Sequence, residues 1–363
     1  MDSLSLDLER GKTLKIDIKS LSFKELEEEL LKLGEKKFRA AQIYEWMHVK
    51  LVENFDQMTN LSIALREKLK ENFELICLKQ VERLESKIDG TNKFLFELND
   101  NNVIESVLMR YHHGNSVCIS SQVGCRMGCR FCASTIGGLT RNLTASEMLD
   151  EIYRIQHITG ERVSNVVVMG TGEPMDNYDN IVKFVRMLSD EKGLNISQRN
   201  ITVSTCGLAP KIRQLADEGL TITLALSLHA PNDEDRKKIM PVANSFTLEE
   251  VLSACDYYYE KTKRRISFEY SLVKGVNDSE TQAMELYHLI KRKNCHVNLI
   301  PVNPIKERDY KRSTGDNIQN FKNILEKNRI NVTIRREMGS DINAACGQLR
   351  KSYQERITGQ EVK

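Results

Sequence analysis

The sequence lacks any long apolar run. Of its 363 residues 40% are hydrophobic, and no apolar segment approaches the roughly 20 residues that a membrane helix needs. The opening segment, MDSLSLDLERGK, is polar and acidic and does not have the pattern of a secretory signal peptide. Net charge is also small, at +2 from 53 basic and 51 acidic residues. We therefore expect a cytoplasmic protein with no membrane segment, and its charge neither demands nor excludes a nucleic acid partner.

Proline and tryptophan are scarce, with six residues and one residue, but cysteine is not, because the chain has nine. An odd number of cysteines in a long chain of enzyme-like composition does not fit an extracellular disulfide framework. It favours metal or redox chemistry in a reducing compartment. The length predicts about two domains, each large enough for its own core.

Three of the cysteines form a Cys-x3-Cys-x2-Cys run, at Cys125, Cys129 and Cys132. An electron-transfer [4Fe–4S] cluster ordinarily has four cysteine ligands, so three leave one iron without a protein ligand. An open coordination position distinguishes a catalytic metal from a structural one. The spacing therefore favours a cluster that binds a substrate at its free iron. A closed cluster that recruits Cys118, and a zinc site with a distant fourth ligand, stay open on spacing alone.

The pattern of the chain predicts four parts. Residues 1–76 include stretches rich in Leu, Glu and Lys with helical spacing, which predict a small helical accessory domain. Residues 77–114 contain two β-type runs around the turn-forming sequence NDNN, and we interpret them as a β-hairpin linker. Residues 115–338 form the main domain, and residues 339–363 form a C-terminal tail.

In the main domain, apolar β-branched runs alternate with helical patterns. This alternation predicts parallel βα units of an α/β fold. Six units fall short of the eight in a closed barrel, so we expect an open, partial (β/α)6 TIM-like barrel. The predicted strands are residues 116–120, 165–170, 200–206, 221–228, 266–273 and 296–302.

Polar residues follow several of these strands at the point where each strand ends. In parallel sheets such ends meet at one edge, where reactive groups collect. The second strand is followed by GTGEP, in which Gly172 lets backbone approach a ligand and Glu173 is suited to accept a hydrogen bond from an amine. Each terminus alone is compatible with an ordinary turn, but together they predict a cofactor site beside the cysteine run. The other termini contain Ser204, then Ser227, Leu228 and His229, and then Asn303.

Three further residues are ambiguous by themselves. Cys118 in the first strand and Cys346 near the end of the chain are most simply small buried hydrophobes. Glu105, in the second strand of the hairpin, is most simply a solvent-facing carboxylate. Basic clusters at residues 261–265, 308–312 and 335–336 predict an RNA-binding surface only if they converge on the site.

Several motifs together identify a family. CRMGCRFC with GTGEP resembles the radical S-adenosylmethionine superfamily. SSQVGCRMGCRFCASTIGGLTRNLTASE, VVVMGTGEPMDNYDN, LALSLHAPND, LIPVNP and GSDINAACGQL resemble the RNA adenosine methyltransferases of that superfamily. The similarity extends over nearly the whole chain and implies methylation of carbon 2 of adenosine, at adenine 2503 of 23S rRNA and adenine 37 of tRNA. The segment CASTIGGLTRNL looks more like this group than like the related carbon-8 methyltransferases that confer antibiotic resistance.

The resemblance also implies a role for each candidate residue. The three clustered cysteines would hold a [4Fe–4S] cluster, and its free iron would take the amino and carboxylate groups of S-adenosylmethionine. Cys346 would carry the methyl group, Cys118 would form a transient disulfide with Cys346, and Glu105 would accept a proton. S-adenosylmethionine would also be bound by Gly172 and Glu173 at its amine, by Ser204, Ser227, Leu228 and His229 at its nucleoside and neighbouring groups, and by Asn303 at its ribose.

The mechanism implied by the resemblance uses two molecules of S-adenosylmethionine per turnover. One methylates Cys346, and the other yields a 5′-deoxyadenosyl radical that activates this methyl group for addition to the base. The implied partners are 23S rRNA, tRNA and an electron donor such as flavodoxin or ferredoxin, and we expect a monomer. Two alternatives are a radical enzyme acting on a small molecule or protein, and an RNA-binding protein with a structural cluster. The helical N-terminal part and the pair Cys118 and Cys346 disfavour the first.

Overall fold

The structure, a computed structural model, describes residues 15–303 and 308–342. The chain divides into two compact units. Residues 15–77 with 192–194 belong to the smaller unit, and the remaining described residues belong to the larger one. Most of the predicted C-terminal tail, including Cys346, lies outside the described residues.

The smaller unit is helical. Its first helix is capped by Ser22, whose side chain accepts a hydrogen bond from the backbone N–H of Glu25, while the Glu25 carboxylate accepts one from the Ser22 N–H. Apolar faces of the helices pack into a common core that includes Leu26, Ile43 and Leu69. The elements are β1 (Ile16–Asp17), α1 (Phe23–Lys32), α2 (Phe38–His48), α3 (Ile63–Asn72) and β2 (Phe73–Glu74), with β1 and β2 paired in parallel.

The larger unit is built on a ten-stranded sheet with the strand order β14-β13-β12-β11-β10-β9-β6-β5-β4-β3. Two further short strands, β7 (Gln122–Gly124) and β8 (Leu139–Asn142), form a separate antiparallel pair. The strands of the main sheet are β3 (Lys79–Glu85), β4 (Asn92–Glu97), β5 (Val103–Tyr111), β6 (Gly114–Ile119), β9 (Val163–Val168), β10 (Ile201–Thr205), β11 (Thr223–Ser227), β12 (Ile266–Leu272), β13 (Cys295–Pro301) and β14 (Val332–Ile334).

Helices connect the strands of the parallel part. One of these helices, of only seven residues (Asp233–Ile239), follows β11 and was not predicted from the sequence pattern. None of the helices in the described ranges has both the length and the apolar character that crossing a membrane requires. The helices are α4 (Ala145–Thr159), α5 (Tyr178–Leu188), α6 (Ala209–Asp217), α7 (Asp233–Ile239), α8 (Leu248–Thr262), α9 (Glu280–Ile290) and α10 (Gly315–Lys327).

The parallel part of the sheet runs from β6 through β9 to β14. Each of β6 and β9 to β13 is followed by helical chain that returns to the start of the next strand, as parallel pairing requires. The two edge strands, β14 and β3, do not pair with each other within the described residues. The predicted α/β fold with an open (β/α)6 arrangement is therefore confirmed.

The segment interpreted as a linker has a different place in the structure. Its strands β3, β4 and β5 are antiparallel and pair through β5 with β6, so they continue the main sheet. The physical reason lies in β4, where Phe94, Leu95 and Phe96 are all fully buried. A strand that is apolar on both faces needs cover on both sides, which a free-standing hairpin does not have.

Asn277 fixes the connection between β12 and α9. Its side chain, fully buried, accepts a hydrogen bond from the N–H of Val273 at 2.7 Å. It donates to the carbonyl oxygens of Ser271 at 2.6 Å and His229 at 2.7 Å. One amide therefore ties the end of β12 to the residues that follow β11.

We expect Asn277→Ala to lower the free energy of unfolding by about 3 kcal/mol, because buried polar groups left without a partner cost about 1–3 kcal/mol each. Urea denaturation followed by circular dichroism measures this change. Asn294→Ala is the matched control, since that side chain is exposed and donates only one hydrogen bond of 3.2 Å, to Tyr259. Equal stabilities of the two variants would contradict the role of Asn277.

Candidate active site

The three clustered cysteines lie on the loop between β7 and β8. Gly124 ends β7 with φ of 80°, in the left-handed region, and a side chain there would collide with the carbonyl oxygen of Gly138. The N–H of Cys125 donates to that same oxygen at 2.9 Å. The two ends of the loop are thus held together by a close backbone approach that only glycine permits.

Within the loop, the cysteines are held by short-range hydrogen bonds. The hydroxyl of Thr135 donates to the carbonyl oxygens of Cys129 at 3.2 Å and Cys132 at 2.9 Å. Burial raises the pKa of Cys125 to about 12, and the charge of Cys132 adds to this rise. Burial raises the pKa of Cys129 as well, with contributions from both other cysteines. Thiols in such surroundings stay protonated unless a metal centre provides the positive charge that stabilises the thiolates.

This set of ligands fits an iron–sulfur cluster. Among residues 15–303 and 308–342, no three His, Cys, Asp or Glu side chains converge closely enough to hold a single metal ion. In a [4Fe–4S] cluster each cysteine thiolate binds a different iron, so the three cysteine sulfurs need not converge on one point. The three cysteines of the loop would hold three irons of such a cluster and leave the fourth open.

Glu173 of the GTGEP segment lies beside this loop. Its buried carboxylate accepts hydrogen bonds from the N–H groups of Met175 at 3.0 Å and Cys206 at 2.7 Å. Burial raises its pKa, and these hydrogen bonds oppose that rise because they stabilise the carboxylate. Electrostatic interactions of Glu173 with Cys125 and Cys129 indicate that the carboxylate is near the cysteines.

The glycines of GTGEP allow close packing against β6 and β7. The N–H of Gly170 donates to the carbonyl oxygen of Ile119 at 2.9 Å, at the end of β6. Gly172 has φ of 115°, and a Cβ at this position would lie 2.7 Å from the Cβ of Gln122. A side chain at Gly172 would therefore displace the backbone of GTGEP from β7.

A cavity of about 280 Å³ lies at the carboxyl ends of the parallel strands. Its volume is near the lower end of the range for small-molecule sites, about 300–1,000 Å³. Gly172, Glu173, Leu228 and Glu105 are not among the described residues that line it. Of the predicted site residues, those lining it are Cys118, Cys132, Ser204, Ser227, His229 and Asn303.

His229 is held rigidly in the wall of this cavity. It has φ of 56°, and its Nδ1 accepts a hydrogen bond from the N–H of Ser271 at 2.9 Å. The edge of its ring meets Phe131, with centroids 4.8 Å apart and planes at 76°. Burial, with a contribution from the charge of Arg236, lowers the pKa of His229 to about 3. The imidazole is therefore neutral at physiological pH, and it is a fixed, uncharged polar group in the cavity lining.

The neighbours of His229 have different surroundings. Leu228 is fully buried, and its N–H donates to the carbonyl oxygen of Glu269 at 3.0 Å. The hydroxyl oxygens of Ser204 and Ser227 lie 3.5 Å apart on adjacent strands. The serines therefore present hydroxyls to the cavity, whereas Leu228 belongs to the core.

Cys118 lies across the cavity, on β6. It pairs in register with Val107 of β5 and is only 5% exposed. Met109 and Met169 complete an apolar cluster around it. No disulfide joins two cysteines of the described residues.

Glu105 does not face solvent, in contrast to the simplest interpretation of its strand. Its carboxylate lies 2.9 Å from the ammonium group of Lys93, and the two side chains are 4% and 0% exposed. Lys93 pairs in register with Val107, which in turn pairs with Cys118, so the three residues form one row across β4, β5 and β6. Lys93 was missed in the sequence because a lysine in a strand is ordinarily exposed.

Glu269 lines the cavity and was also missed in the sequence analysis. Its carboxylate accepts hydrogen bonds from Ser267 at 2.9 Å and Asn298 at 2.8 Å, and burial raises its pKa. The available signal was the alternation in ISFEYSL, where Ser267, Glu269 and Ser271 give β12 one polar face. Three arginines of the predicted basic clusters also line the cavity, at Arg312, Arg335 and Arg336.

Two family models match this chain. Residues 119–287 match the radical SAM superfamily, and residues 16–75 match the ribosomal RNA large subunit methyltransferase N-terminal domain. A solved structure of a radical SAM methyltransferase from Sphaerobacter thermophilus is 42% identical. It covers 92% of this chain and 98% of its own, with a TM-score of 0.88.

Relatives in sequence extend the similarity over almost the full length. The chain is 75% identical over 350 residues to the probable dual-specificity RNA methyltransferase RlmN of Lachnoclostridium phytofermentans, covering 96% of this chain and 98% of that protein. It is 67% identical to the protein of the same name from Lachnospira eligens, covering 94% and 97%. With the cysteine loop and the open parallel sheet, these similarities establish that the chain belongs to the RlmN family of radical S-adenosylmethionine RNA methyltransferases.

Proposed function

We propose that this chain methylates carbon 2 of adenosine in both 23S rRNA and tRNA. The observation that carries the proposal is that Cys118 and Cys132 line one cavity, although they come from a strand and from the cysteine loop. A reactive thiol and a cluster ligand facing one space fit a reaction in which a radical acts on a group carried by a cysteine. The relatives named dual-specificity RNA methyltransferase support the RNA substrates.

Binding of S-adenosylmethionine is assigned to the region between GTGEP and the strand ends. A [4Fe–4S] cluster held by the three cysteines supplies, when bound, the electron that cleaves S-adenosylmethionine to methionine and a 5′-deoxyadenosyl radical. Gly172 and Glu173 bind the amine of the methionine part, because the buried carboxylate is the negative group next to the loop. Ser204, Ser227 and Asn303 offer hydrogen-bonding groups to the ribose.

Cys346 and Cys118 share the handling of the methyl group. Carbon 2 of adenine lies between two ring nitrogens and is electron-poor, so it does not attack a methylsulfonium directly. Cys346 therefore takes a methyl group first, as a thiolate that displaces it from one molecule of S-adenosylmethionine. A second molecule is consumed in activating that methyl group. The activated carbon adds to carbon 2, and the adduct loses the ring proton and returns the electron that was supplied. The thiolate of Cys118 then attacks the sulfur of Cys346, so that the S–S bond forms as the bond between that sulfur and the former methyl carbon breaks. That carbon takes up a proton, which completes the methyl group of the released base.

Glu105 is proposed as the base that accepts the proton from carbon 2. Lys93 holds the carboxylate at 2.9 Å in a place where neither group reaches solvent. Glu105 lies two residues before Val107 on β5, hence on the same face of the sheet as Cys118. This pairing supports a carboxylate that is fixed in position on the same face of the sheet as the reacting thiol.

RNA is proposed to approach the cavity beside its arginines. Arg312, Arg335 and Arg336 supply the positive charge that the phosphate backbone requires. The target adenosine must leave its stack to enter a cavity of this kind. We further propose that the chain acts as a cytoplasmic monomer with flavodoxin or ferredoxin as the electron donor.

The proposed reaction is tested by nucleoside mass spectrometry on RNA treated with the anaerobically reconstituted protein and deuteromethyl-labelled S-adenosylmethionine. We expect labelled 2-methyladenosine that has lost one methyl deuteron, because the methyl group passes through a radical stage. Labelled 8-methyladenosine would instead assign the chain to the carbon-8 reaction. An intact cluster that yields no methylated adenosine would contradict the proposal.

A second prediction concerns Cys118. We expect Cys118→Ala to retain methylation of Cys346 but to accumulate a covalent protein–RNA adduct, because the thiol that resolves it is gone. Denaturing gel electrophoresis with labelled RNA measures the adduct. Cys295→Ala is the matched control, since Cys295 also lies buried in a strand of the sheet, with 7% exposure against 5%. Normal turnover by Cys118→Ala would contradict the disulfide step.

A third prediction concerns the binding of S-adenosylmethionine. We expect Gly172→Ala to weaken it by about tenfold, equivalent to about 1.4 kcal/mol, because the new Cβ displaces GTGEP from Gln122. Equilibrium dialysis with the radiolabelled compound measures the dissociation constant, and iron analysis verifies cluster content. Gly315→Ala is the control, because a Cβ there meets nothing within 4 Å. Unchanged affinity in the Gly172 variant would remove this segment from the binding site.

A further inference from the structure

Arg236, on α7, is a fully buried cation that none of the steps above uses. Its guanidinium donates to the carbonyl oxygens of Cys206 at 2.6 Å, Leu228 at 3.2 Å and Ser227 at 3.4 Å. These carbonyls follow or end β10 and β11. The charge is therefore fixed at the carboxyl edge of the sheet, where the cavity and the cysteine loop lie.

The charge of Arg236 has no ion-pair partner in the part of the chain that the structure describes. No ion pair within residues 15–303 and 308–342 includes Arg236, and its Nη1 is buried without a hydrogen-bond partner among them. Burying a cation is costly, and the three carbonyl dipoles offset only part of the hydration that it loses. A bound anionic group near the guanidinium would compensate the charge further.

The surroundings of Arg236 indicate where that negative charge belongs. The N–H of Arg130, in the cysteine loop, donates to the carbonyl oxygen of Ile239 at 2.9 Å, at the end of α7. Cys129, Cys206 and Ile239 pack in one hydrophobic cluster. The helix that carries Arg236 is thus packed directly against the loop of the three cysteines.

Cysteines lie near the guanidinium. It donates to the carbonyl oxygen of Cys206, which packs in the same cluster as Cys129. Burial lowers the pKa of Arg236, and negative charge at Cys206 or Cys129 would oppose that change. Cys129 is one of the three cysteines that fit the cluster, so a thiolate there would place negative charge near this buried cation.

We propose that Arg236 is the built-in counter-cation of the iron–sulfur cluster and that its charge stabilises the reduced cluster. A [4Fe–4S] core held by three thiolates is anionic and gains one further negative charge when it takes up an electron. Net charge and burial around such a cluster set its reduction potential. A fixed positive charge in a region of low dielectric favours the form with more negative charge, so it raises the potential.

The test is a potentiometric titration of the reconstituted protein, followed by electron paramagnetic resonance of the reduced cluster. It is run without S-adenosylmethionine or RNA, so it does not depend on which carbon is methylated. We expect Arg236→Met to lower the ratio of reduced to oxidised cluster about tenfold at a given potential, which is a midpoint about 59 mV more negative. Arg236→Lys keeps the charge and should retain most of the potential.

Two controls separate this role from a structural one. Arg264→Met removes a half-buried arginine that donates to Thr223 at the start of β11, away from the cysteine loop, and should leave the midpoint unchanged. Arg236→Gln is a second neutral variant that keeps an N–H donor for the strand carbonyls. Iron and sulfide analysis, and thermal unfolding of the metal-free proteins, are measured for every variant.

Three results would overturn the proposal. The first is an unchanged midpoint in a fully loaded Arg236→Met or Arg236→Gln protein. The second is a fall in Arg236→Lys as large as in Arg236→Met, which would make geometry and not charge the cause. The third is loss of the metal-free fold in both neutral variants, which would assign Arg236 to holding the strand carbonyls.

Discussion

The site depends on one constraint, the parallel pairing of neighbouring strands from β6 through β9 to β13. In-register pairing sets the strand ends side by side, so Cys118 and Asn303, far apart in sequence, reach the same cavity. Side chains alternate between the two faces of a strand, and a slip of one residue would turn Cys118 away from the cavity. The geometry of the site is thus determined by backbone hydrogen bonds, and none of the reactive side chains takes part in them.

The buried charged groups around this cavity are compensated by different kinds of partner. Glu173 is compensated by backbone N–H groups, and Glu105 by the ammonium of Lys93. Glu269 accepts hydrogen bonds from the neutral side chains of Ser267 and Asn298, and burial raises its pKa. Arg236 donates to carbonyl dipoles but forms no ion pair with the described residues. A bound anionic group would stabilise such a cation most, and this is the basis of the role proposed for Arg236.

Much of the fold could be predicted from local sequence patterns. The rest depends on contacts between residues that are distant in sequence. The strand predicted at residues 266–273 is β12 (Ile266–Leu272), because period-two alternation and flanking turns are local signals. The pair β7–β8 was missed, since strands of three and four residues have too little pattern to detect. The burial of Lys93, Glu269 and Arg236 also could not be predicted, because each is buried by partners distant in sequence. Of the residues that line the cavity, Ser204, Ser227, His229 and Asn303 were predicted from strand ends. Cys346 lies outside the described residues.

The position of Cys118 bears on the closed-cluster alternative that spacing left open. Its backbone is fixed by pairing with β5 and β9 on either side, so it cannot move toward the cysteine loop without breaking the sheet. Its thiol packs with Val107 and Met109, in a cluster separate from the one that contains Cys129. Cys118 and Cys132 nonetheless line the same cavity. A thiol that faces the loop across a cavity, instead of joining it, leaves room for a substrate between the two, which a fourth ligand would remove.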